Sequence, residues 1–380
     1  MDYDVIVVGG RVSGSISSSY ASKNGSNVLM IEKHQEIGTP VHCAGGVSDS
    51  FFKTMNIKPS SEYTLCRVEG GKIYSPDGNF ISSKDKILKG HILDRKIFDK
   101  NLAIRAANEG VDIMLKTTVT GLLTEKGQVK GVVAKHLGKK IEISSKVVIA
   151  ADGIESQVAK LYGLDTNFNP QNVCSCAQME MVGLDVDTEM LEFYFGEKIA
   201  PRGYVWVFPK GENRANVGLG IRNSEKTAHE YLKTFLKKIG GTPVELNVGA
   251  VPLGGPIKKT YGNGILIVGD AAGQVDPVTG GGIHVSAECA KIAGTVAADA
   301  VQKEEYSEKY LKKYEINWKN GIGRSLEKAI KFRNLFDKLN DEDINNLIKY
   351  AKNKDINSKL SILKLIKEYP ELLKILRSIL

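Results

Sequence analysis

Residues 4–14 read DVIVVGGRVSG, an apolar run followed directly by a glycine-rich turn. Short β-branched runs bounded by glycine are typical of buried parallel strands. The sequence predicts a strand at 4–8, a helix from about Gly14 to Lys23, and a second buried strand at 27–31. The order strand, helix, strand indicates a parallel α/β sheet.

The turn itself indicates a dinucleotide site. Gly9 and Gly14 allow the backbone to approach a pyrophosphate, and the N-terminus of the following helix offers free N–H groups and a positive dipole. Glu32 ends the second strand, where a carboxylate accepts hydrogen bonds from the ribose hydroxyls of an adenine dinucleotide. Arg11 takes the place of the second glycine of G-x-G-x-x-G, so its side chain must point away from the phosphates or reach over them.

Two later stretches extend this interpretation. Residues 149–153 (IAADG) end a strand in small residues and an Asp-Gly turn. Residues 267–273 (IVGDAAG) continue to 277–283 (PVTGGGI). Asp270, at the end of a buried strand, is suited to bind ribityl or ribose hydroxyls. Backbone N–H groups at the triple glycine are suited to stabilise negative charge on a reduced flavin.

The rest of the chain divides into regions of different character. An amphipathic helix is predicted at 94–110, with Asp94 as its N-cap. Alternating runs between 174 and 222 predict an antiparallel sheet. Further strands are predicted at 111–115, 117–124, 129–135, 140–144, 146–150 and 265–269, and a helix at about 282–302. We expect four parts: a dinucleotide-binding part at 1–165, with 51–90 contributing to the substrate side; a substrate sheet at 166–254; a return to the first part at 255–302; and a helical C-terminal region at 303–380.

Composition limits the possible classes of protein. The chain has 380 residues, 42% of them hydrophobic, and no uncharged apolar run of ~18 residues that would span a membrane. The first strand begins too early to leave room for a signal peptide, and five sparse cysteines do not suggest a disulfide framework. We therefore expect a cytoplasmic protein. No metal-ligand spacing and no nucleic-acid-binding motif is found.

The positive charge is concentrated near the C-terminus. The net charge is +8, and residues 303–380 hold 18 Lys/Arg against 12 Asp/Glu, a surplus of +6. Residues 358–380 read SKLSILKLIKEYPELLKILRSIL, which fits a basic amphipathic segment interrupted at Pro370. It either packs on the other C-terminal helices or lies on an anionic membrane surface, where we expect peripheral contact at the inner face of the cell membrane.

Together, the GGxxxG turn with Glu32, the ADG turn and the GDAAG…PxxGGGI stretch resemble the glutathione-reductase-type FAD fold, in its para-hydroxybenzoate-hydroxylase-like branch. Two more stretches narrow the resemblance. Residues 40–46 (PVHCAGG) match P-x-x-C-x-G-G, and residues 204–209 (YVWVFP) match Y-x-W-x-F-P. Both signatures are similar to those of the geranylgeranyl reductase family, including its archaeal members that act on membrane lipids.

The resemblance implies FAD as cofactor and a prenylated glycerophospholipid as substrate. The implied reaction reduces isolated alkenes of digeranylgeranylglycerol-type precursors, with hydride from reduced FAD and a proton from an acid or water. An unactivated alkene requires a site that positions the chain and excludes water. The positions implied for FAD are Ser13, Glu32, Cys43, Ala44, Gly46, Arg95, Val119, Asp270, Gly282 and Ile283. The strand carrying Tyr204, Trp206 and Phe208 is expected to line the prenyl channel.

Several residues allow more than one interpretation. Cys43 is a redox-active thiol, a structural residue, a packing residue beside the flavin or a general acid, and the absence of Cys-x-x-Cys argues against disulfide exchange. His42 is either a proton donor or a solvent-facing loop residue. Tyr204, Trp206 and Phe208 share one strand face, as a core stripe or as a tunnel wall. Arg202 and Lys210 are either lipid-phosphate ligands or surface charges, and Cys174 and Cys176 are interpreted as structural.

Other functions remain open from sequence. The electron donor is ferredoxin, another reduced carrier or a reduced nicotinamide, since no second dinucleotide motif is seen. A flavin monooxygenase of the aromatic hydroxylase type shares the FAD motifs, although the P-x-x-C-x-G-G and Y-x-W-x-F-P stretches argue against it. NADPH-driven oxygen consumption with a phenol would support that function. A non-catalytic, flavin-loaded binding protein at the membrane surface is the third alternative.

Overall fold

The computed structural model describes residues 2–84, 88–166 and 168–353. The segment at 358–380 lies outside the described residues, so its contact with a membrane stays a prediction. Within the described ranges, no helix combines the length and the apolar character that a membrane span requires.

The elements are numbered in chain order. The strands are β1 (Asp2–Val8), β2 (Val28–Ile31), β3 (Gly46–Ser48), β4 (Thr64–Val68), β5 (Gly70–Tyr74), β6 (Phe80–Ser83), β7 (Gly90–Leu93), β8 (Asp112–Met114), β9 (Thr117–Glu125), β10 (Gln128–His136), β11 (Lys139–Ala150), β12 (Val173–Val182), β13 (Met190–Tyr194), β14 (Tyr204–Gly211), β15 (Arg214–Ile221), β16 (Thr242–Pro252), β17 (Tyr261–Gly262) and β18 (Ile265–Ile267). The α-helices are α1 (Val12–Lys23), α2 (Asp49–Met55), α3 (Arg95–Asn108), α4 (Gln157–Tyr162), α5 (Ala228–Ile239), α6 (Ile283–Gln302), α7 (Glu308–Trp318), α8 (Arg324–Phe336) and α9 (Asp341–Asn353).

The N-terminal sheet has the strand order β17-β18-β11-β1-β2-β8, and β1 runs parallel to both of its neighbours. Its residues alternate between two cores because successive side chains of a strand point to opposite faces. Val5 and Val7 pack with α1, α3 and α6, whereas Ile6 and Val8 pack with β9, β10 and α4. The predicted parallel α/β sheet is confirmed.

Helices α1 and α6 of this layer start at the same edge of the sheet. A Cβ added to Gly269, just after β18, would contact Ser13 in the first turn of α1 and Ser286 in the first turn of α6. The N-termini of α1 and α6 therefore converge beside the carboxyl ends of β1 and β18. Their partial positive charges are directed at one place.

A second, mainly antiparallel sheet has the order β16-β12-β15-β14-β13-β5-β6. The chain enters it at Val173 and leaves it at Pro252, and these two residues are paired across β12 and β16. At the other edge, β5 comes from an earlier part of the chain and pairs with β13 in parallel. The antiparallel sheet predicted for 174–222 is confirmed, and it extends beyond that range.

The two faces of this sheet have different chemistry. One face is aliphatic and is covered by α5, whose Leu232 and Phe235 pack on Met179, Val205 and Val217. The opposite face carries small, polar and aromatic side chains: Cys174, Cys176, Gln178, Tyr204, Trp206, Phe208, Asn216, Gly218 and Gly220. Hydrogen bonds from this second face reach the loop at residues 40–46 of the α/β part.

The C-terminal helices fasten the two parts together. In α7, the Tyr314 hydroxyl donates to the Ile267 carbonyl oxygen over 2.9 Å, next to the turn that follows β18. At the end of α8, Asp337 accepts from Arg222 of the antiparallel sheet. In α9, Lys349 pairs with Asp77, between β5 and β6, at 2.9 Å.

Two boundaries differ from the prediction. The strands predicted at 140–144 and 146–150 are one strand, β11. Ser144 pairs with Gly131 of β10 on one side and with Asp2 of β1 on the other, so the polar pair at 144–145 is where β11 exchanges an antiparallel partner for a parallel one. The strand predicted at 265–269 ends at Ile267. Val268 then caps a 3-10 turn at Gly269–Ala272.

Candidate active site

The glycine turn after β1 approaches other backbone too closely for any side chain. Gly9 has a φ of 107°, in the left-handed region, and a Cβ there would overlap the Ala151 carbonyl oxygen. A Cβ on Gly14, in the first turn of α1, would overlap the Gly9 carbonyl oxygen. The turn is therefore a bare backbone cradle at a helix N-terminus, which suits a phosphate group.

Glu32, at the end of β2, is buried beneath this cradle. Its Oε2 accepts from the Gly10 N–H at 2.8 Å, and its Oε1 accepts from the His34 N–H at 2.9 Å and lies 2.7 Å from His34 Nδ1. A carboxylate offers about four acceptor sites, so these three contacts leave room for a ribose hydroxyl. The ribose contact of Glu32 stays a prediction.

Arg11 does not point into the cradle. Its guanidinium donates to the Pro40 carbonyl oxygen and so joins the glycine turn to the P-x-x-C loop, residues 40–46. Burial lowers the pKa of Arg11, and the carboxylate of Asp99 opposes that shift. The departure from G-x-G-x-x-G therefore places a cation between the two loops.

A second arginine lies deeper. Arg95, the first residue of α3, donates from Nε and from a terminal guanidinium nitrogen to the two carboxylate oxygens of Asp99, at 3.1 and 2.8 Å. Burial opposes its charge, but the charge of Asp99 and the thiol of Cys43 together raise the pKa of Arg95. A fixed cation therefore lies beside Cys43.

Asp270 faces the same cleft from the turn after β18. Burial raises its pKa, and the positive charges of Arg95 and Arg11 oppose that shift. A Cβ on Gly282, the N-cap of α6, would lie 3.3 Å from Asp270 Oδ1. The guanidinium groups of Arg11 and Arg95, the Asp270 carboxylate and two helix N-termini thus lie close together.

The ADG turn contributes a carboxylate oxygen without a protein donor. Asp152 Oδ2 accepts from the Val158 N–H at 2.9 Å, whereas Oδ1 is buried and has no hydrogen-bond partner among the residues that the structure describes. Burial raises the pKa of Asp152. Buried polar atoms without partners are rare in folded proteins, so this oxygen is suited to a donor from a bound ligand.

The remaining predicted cofactor positions are spread around the cleft. Ser13 lies against Gly269, Ile283 is the first residue of α6, and Gly46 begins β3 with Phe208 beside it. Val119 lies further away in β9, a strand that starts where the Thr117 N–H donates to the Glu32 carbonyl oxygen at 3.0 Å. These roles are predictions, but the glycine cradle, the two arginines and the acidic groups fit an elongated dinucleotide.

The P-x-x-C loop is held by the polar face of the antiparallel sheet. Gln178 Nε2 donates to the Cys43 carbonyl oxygen at 3.4 Å, and Asn216 Nδ2 donates to the Ala44 carbonyl oxygen at 3.0 Å. Trp206 Nε1 donates to Gln178 Oε1 at 2.9 Å. The Y-x-W-x-F-P strand is thereby connected to the P-x-x-C loop through one buried amide.

The aromatic face of β14 consists of Tyr204, Trp206 and Phe208, and all three are half-buried. The residues between them, Val205 and Val207, are the ones that fill the core under α5. The α5 core is therefore filled by these valines, and the tunnel wall stays a prediction for the aromatic residues, of which Phe208 also packs against the cluster of Val68, Ile92 and Leu191. The aromatic rings face the α/β part of the molecule.

Glycines on the neighbouring strand make room for these rings. A Cβ on Gly218 would lie 2.5 Å from Trp206 Cζ2, and a Cβ on Gly220 would lie 2.6 Å from Cys174 Sγ. At the end of the row, the Tyr204 hydroxyl donates to the Thr279 carbonyl oxygen, just before the triple glycine. Burial raises the pKa of Tyr204, so its hydroxyl stays protonated.

His42 and Cys43 have different surroundings. His42 is exposed, and its Nδ1 lies 2.7 Å from the Val248 carbonyl oxygen of β16. Partial burial of the ring lowers the pKa of His42, which favours the neutral imidazole as the donor in this bond. Cys43 is half-buried, and its Sγ accepts from the Gly45 N–H at 3.4 Å.

The other residues with two interpretations lie near the same face. Cys174 and Cys176 are free thiols with sulfur atoms 3.9 Å apart, and the hydrogen bond to Cys174 raises the pKa of Cys176. Lys210 is not a surface charge, since it pairs with Glu180 and both side chains are largely buried. Arg202 is exposed in a turn with a φ of 50°.

Gln178 and Asn216 were missed from sequence. Their signal was a polar residue within an otherwise apolar strand, on the face that also carries glycine and cysteine. Buried amides need partners, and here the partners are the carbonyl groups of the P-x-x-C loop.

Comparisons with known proteins agree with this geometry. A family model described as the geranylgeranyl reductase catalytic domain matches residues 172–251. The chain is 49% identical to digeranylgeranylglycerophospholipid reductase 2 of Methanothermobacter thermautotrophicus, with 100% of both chains covered. It is 42% identical to the digeranylgeranylglycerophospholipid reductase of Methanocaldococcus jannaschii, with 100% of this chain and 98% of the other covered.

Among solved structures, a geranylgeranyl bacteriochlorophyll reductase-like protein of Thermoplasma acidophilum superimposes with a TM-score of 0.90 at 34% identity, over 100% of this chain and 99% of the other. A flavin-dependent brominase superimposes with a TM-score of 0.70 at 18% identity, over 97% of this chain and 100% of the other. The second likeness shows the fold alone, which is of the FAD-binding, Rossmann-like type.

Proposed function

Because this chain belongs to the digeranylgeranylglycerophospholipid reductase family, we propose that it binds FAD and reduces the geranylgeranyl double bonds of archaeal membrane phospholipid precursors. The observation that carries the proposal is a pair of hydrogen bonds, from Trp206 to Gln178 and from Gln178 to the Cys43 carbonyl oxygen. This pair joins a half-buried aromatic wall to the loop that borders the dinucleotide cleft. A prenyl chain lying on that wall would be next to the cofactor.

We propose that groups of this chain hold each part of FAD. The cradle at Gly9 and Gly14 would take the pyrophosphate, Glu32 the ribose, and Asp270 with the N-terminus of α6 the ribityl and flavin end. Reduced FAD would supply the hydride. Arg95, paired with Asp99, and Arg11, bonded to the Pro40 carbonyl oxygen, would add positive potential near the phosphates from outside the cradle.

The aromatic face would position the alkene and keep water away. Tyr204, Trp206 and Phe208 present ring surface, and Gly218 and Gly220 leave space beside it. An isolated alkene offers no atom for a hydrogen bond, so orientation must come from shape and apolar contact. A dry wall also protects the reduced cofactor from side reactions.

Reduction adds a hydride to one alkene carbon and a proton to the other. Cys43 is the stronger candidate for the proton donor, since its thiol lies beside the fixed cation of Arg95. That cation would stabilise the thiolate left after the proton has moved to carbon. His42 is neutral and engaged with Val248, which favours a role in holding the loop against β16.

We predict that Cys43→Ala slows alkene reduction by roughly 10²–10⁴-fold, the range typical of a lost general acid, while FAD stays bound. The measurement is saturated product formed by FAD-loaded enzyme, followed by mass spectrometry. Cys66→Ala is the matched control, because Cys66 is a half-buried thiol on β4, outside the P-x-x-C loop. A full rate in Cys43→Ala combined with a slow His42→Ala variant would assign the proton to His42.

We predict that Glu32→Ala weakens FAD binding by about 1–3 kcal/mol, the scale of hydrogen bonds lost from a charged group. The variant removes the ribose acceptor and also leaves the Gly10 N–H without its partner. His34→Ala is the control, because it removes the imidazole contact and keeps both the carboxylate and its bond to the Gly10 N–H. Calorimetric titration of apoprotein with FAD measures the change, and equal affinity in Glu32→Ala would rule out the ribose contact.

We also propose peripheral contact with a membrane, since the substrate carries two prenyl chains.

The electron donor is proposed to be a small reduced carrier such as ferredoxin, or a reduced nicotinamide. Flavin reduction by dithionite-reduced ferredoxin and by NADPH, compared in one anaerobic assay, separates the two donors. A flavin reduced by neither, with lipid still bound, would favour the non-catalytic binding protein.

The decisive test of the function is the mass of the lipid product. Reduced enzyme is incubated with digeranylgeranylglyceryl phosphate, and the lipid is extracted and weighed by mass spectrometry. The expected result is a gain in steps of two hydrogens per double bond. An unchanged lipid together with oxygen-dependent NADPH consumption would instead support the flavin monooxygenase.

A further inference from the structure

Strand β16 exposes a row of aliphatic side chains on its outer face. Val244, Leu246 and Val248 are 59%, 50% and 57% exposed. They alternate along the strand and therefore share one face. We call these three residues the β16 stripe. Isolated exposed apolar residues are ordinary, whereas a contiguous row marks a surface that contacts something else.

The stripe is exposed because the helix that covers this face of the sheet stops one strand short. Leu246 pairs with Met179 and Val248 pairs with Ala177, both on β12. Met179 and Ala177 are buried under α5 in the same core as Leu232. The aliphatic surface thus continues from the core onto β16, where no described element covers it.

The backbone edge of β16 is poorly suited to pairing with another strand. Pro243 and Pro252 lack the N–H that a ladder needs, and the Val248 carbonyl oxygen already accepts from His42. Edge strands are protected in this way against pairing with a second copy. A stable protein interface buries about 800 Å² per partner, and three side chains cover far less than that area.

Positive charge lies in the last turn of α5, just before the stripe in the chain. Lys237 and Lys238 are in the last turn of α5, and the chain turns at Gly240 and Gly241 directly into β16. Both lysines are exposed, and neither has an ion-pair partner within the part of the chain that the structure describes. An aliphatic row preceded in the chain by free ammonium groups matches the interface of an anionic bilayer, where apolar side chains enter the acyl boundary and lysines meet headgroups.

The inner face of the same strand borders the candidate active site. A Cβ on Gly249 would lie 3.6 Å from His42 Cβ, and Val251 lies 3.9 Å from the Cβ position of Gly280. A lipid surface against the outer face of β16 would therefore be one strand thickness from the P-x-x-C loop and the triple glycine.

We propose that the β16 stripe, with Lys237 and Lys238, docks the protein on an anionic lipid bilayer and so brings the entrance of the prenyl site to the membrane. The inference rests on the proposed function for its substrate and concerns a different surface from residues 358–380. The described chain ends in α9, which pairs with the loop between β5 and β6 at the opposite edge of the sheet. Six strand spacings, roughly 29 Å, separate that edge from β16.

The test is flotation of the FAD-loaded full chain with vesicles of phosphatidylglycerol and phosphatidylcholine. The triple variant Val244→Thr, Leu246→Thr, Val248→Thr keeps β-branched or compact side chains on an exposed face and is expected to bind about 10-fold or more weakly. Lys237→Gln with Lys238→Gln is expected to remove most of the salt sensitivity of binding. Ile104→Gln with Leu161→Gln is the matched control, since both residues are comparably exposed on other elements.

The outcomes separate docking from catalysis. FAD content and turnover of detergent-solubilised substrate should be the same in the triple variant and in the unmodified chain. Flotation of the triple variant at the unmodified level overturns the docking surface, as does loss of flotation only on deleting residues 358–380. A dimer in sedimentation that the triple variant abolishes, with flotation unchanged, would assign the stripe to a second copy instead. If neither the unmodified chain nor any variant reduces the alkene, the proposed function is wrong. The flotation result would still test the docking surface.

Discussion

The Gly14→Ala variant is expected to purify as a folded protein without bound FAD. An added Cβ would overlap the Gly9 carbonyl oxygen, so the glycine turn must move away from the first turn of α1. Overpacking costs about 1–3 kcal/mol, and a backbone obstacle cannot rotate aside, so the expected loss of FAD affinity is roughly 100-fold. Visible absorbance of the purified protein and titration of apoprotein with FAD measure it.

The loss would not come from the helix, since alanine is a better helix former than glycine by about 1 kcal/mol. Gly321→Ala is a control for the added methyl group alone, because a Cβ at Gly321, which lies at the kink between α7 and α8, meets nothing within 4 Å. Circular dichroism should show the same helix content in both variants. Unmodified FAD affinity in Gly14→Ala would mean that the cradle is not the pyrophosphate site.

The Trp206→Ala variant is expected to retain FAD and to lose alkene reduction by about 100-fold in kcat/KM, which corresponds to roughly 2.7 kcal/mol of transition-state stabilisation. Two effects combine. The variant removes the largest ring of the aromatic face, and it leaves Gln178 Oε1 without the donor that orients the amide toward the P-x-x-C loop. Both effects misplace an alkene that offers no atom for a hydrogen bond.

Trp206→Phe divides these two effects, because it keeps a ring on the wall and removes the indole N–H. Gln178→Leu breaks the connection to Cys43 and leaves Trp206 in place. If the hydrogen bonds matter most, both variants should resemble Trp206→Ala; if the wall matters most, Trp206→Phe should be close to the unmodified rate. Loss of flavin from Trp206→Ala would place the residue in the cofactor site or in the core.

Local sequence was enough wherever backbone chemistry decides the structure. Gly9, Gly14 and Glu32 could be recognised because a tight turn between a strand and a helix admits few residue types. Asp94 caps α3 as predicted, accepting from the Lys96 and Ile97 N–H groups. In each case the residues that interact are close in sequence or belong to one motif.

Long-range contacts were beyond the sequence. Nothing local in β12 indicates that Gln178 reaches Cys43, which precedes it by 135 positions. The division of β14 into aromatic and aliphatic faces was visible, but which face meets α5 depends on the packing of the sheet. The two strands predicted at 140–144 and 146–150 are one strand, because β11 changes partners at Ser144 without a break.

The pairing of Val173 with Pro252 has a consequence for how this architecture can diversify. The chain leaves the α/β part and returns to it at neighbouring points, so the sheet between them is an insertion closed at its base. Exchanging that insertion between relatives would alter the aromatic face of β14. The chain path around the dinucleotide cleft would stay the same. The exchange must also carry the β5–β6 hairpin, since β5 completes the sheet against β13. Substrate range in such a protein is a modular trait carried by two segments of the chain.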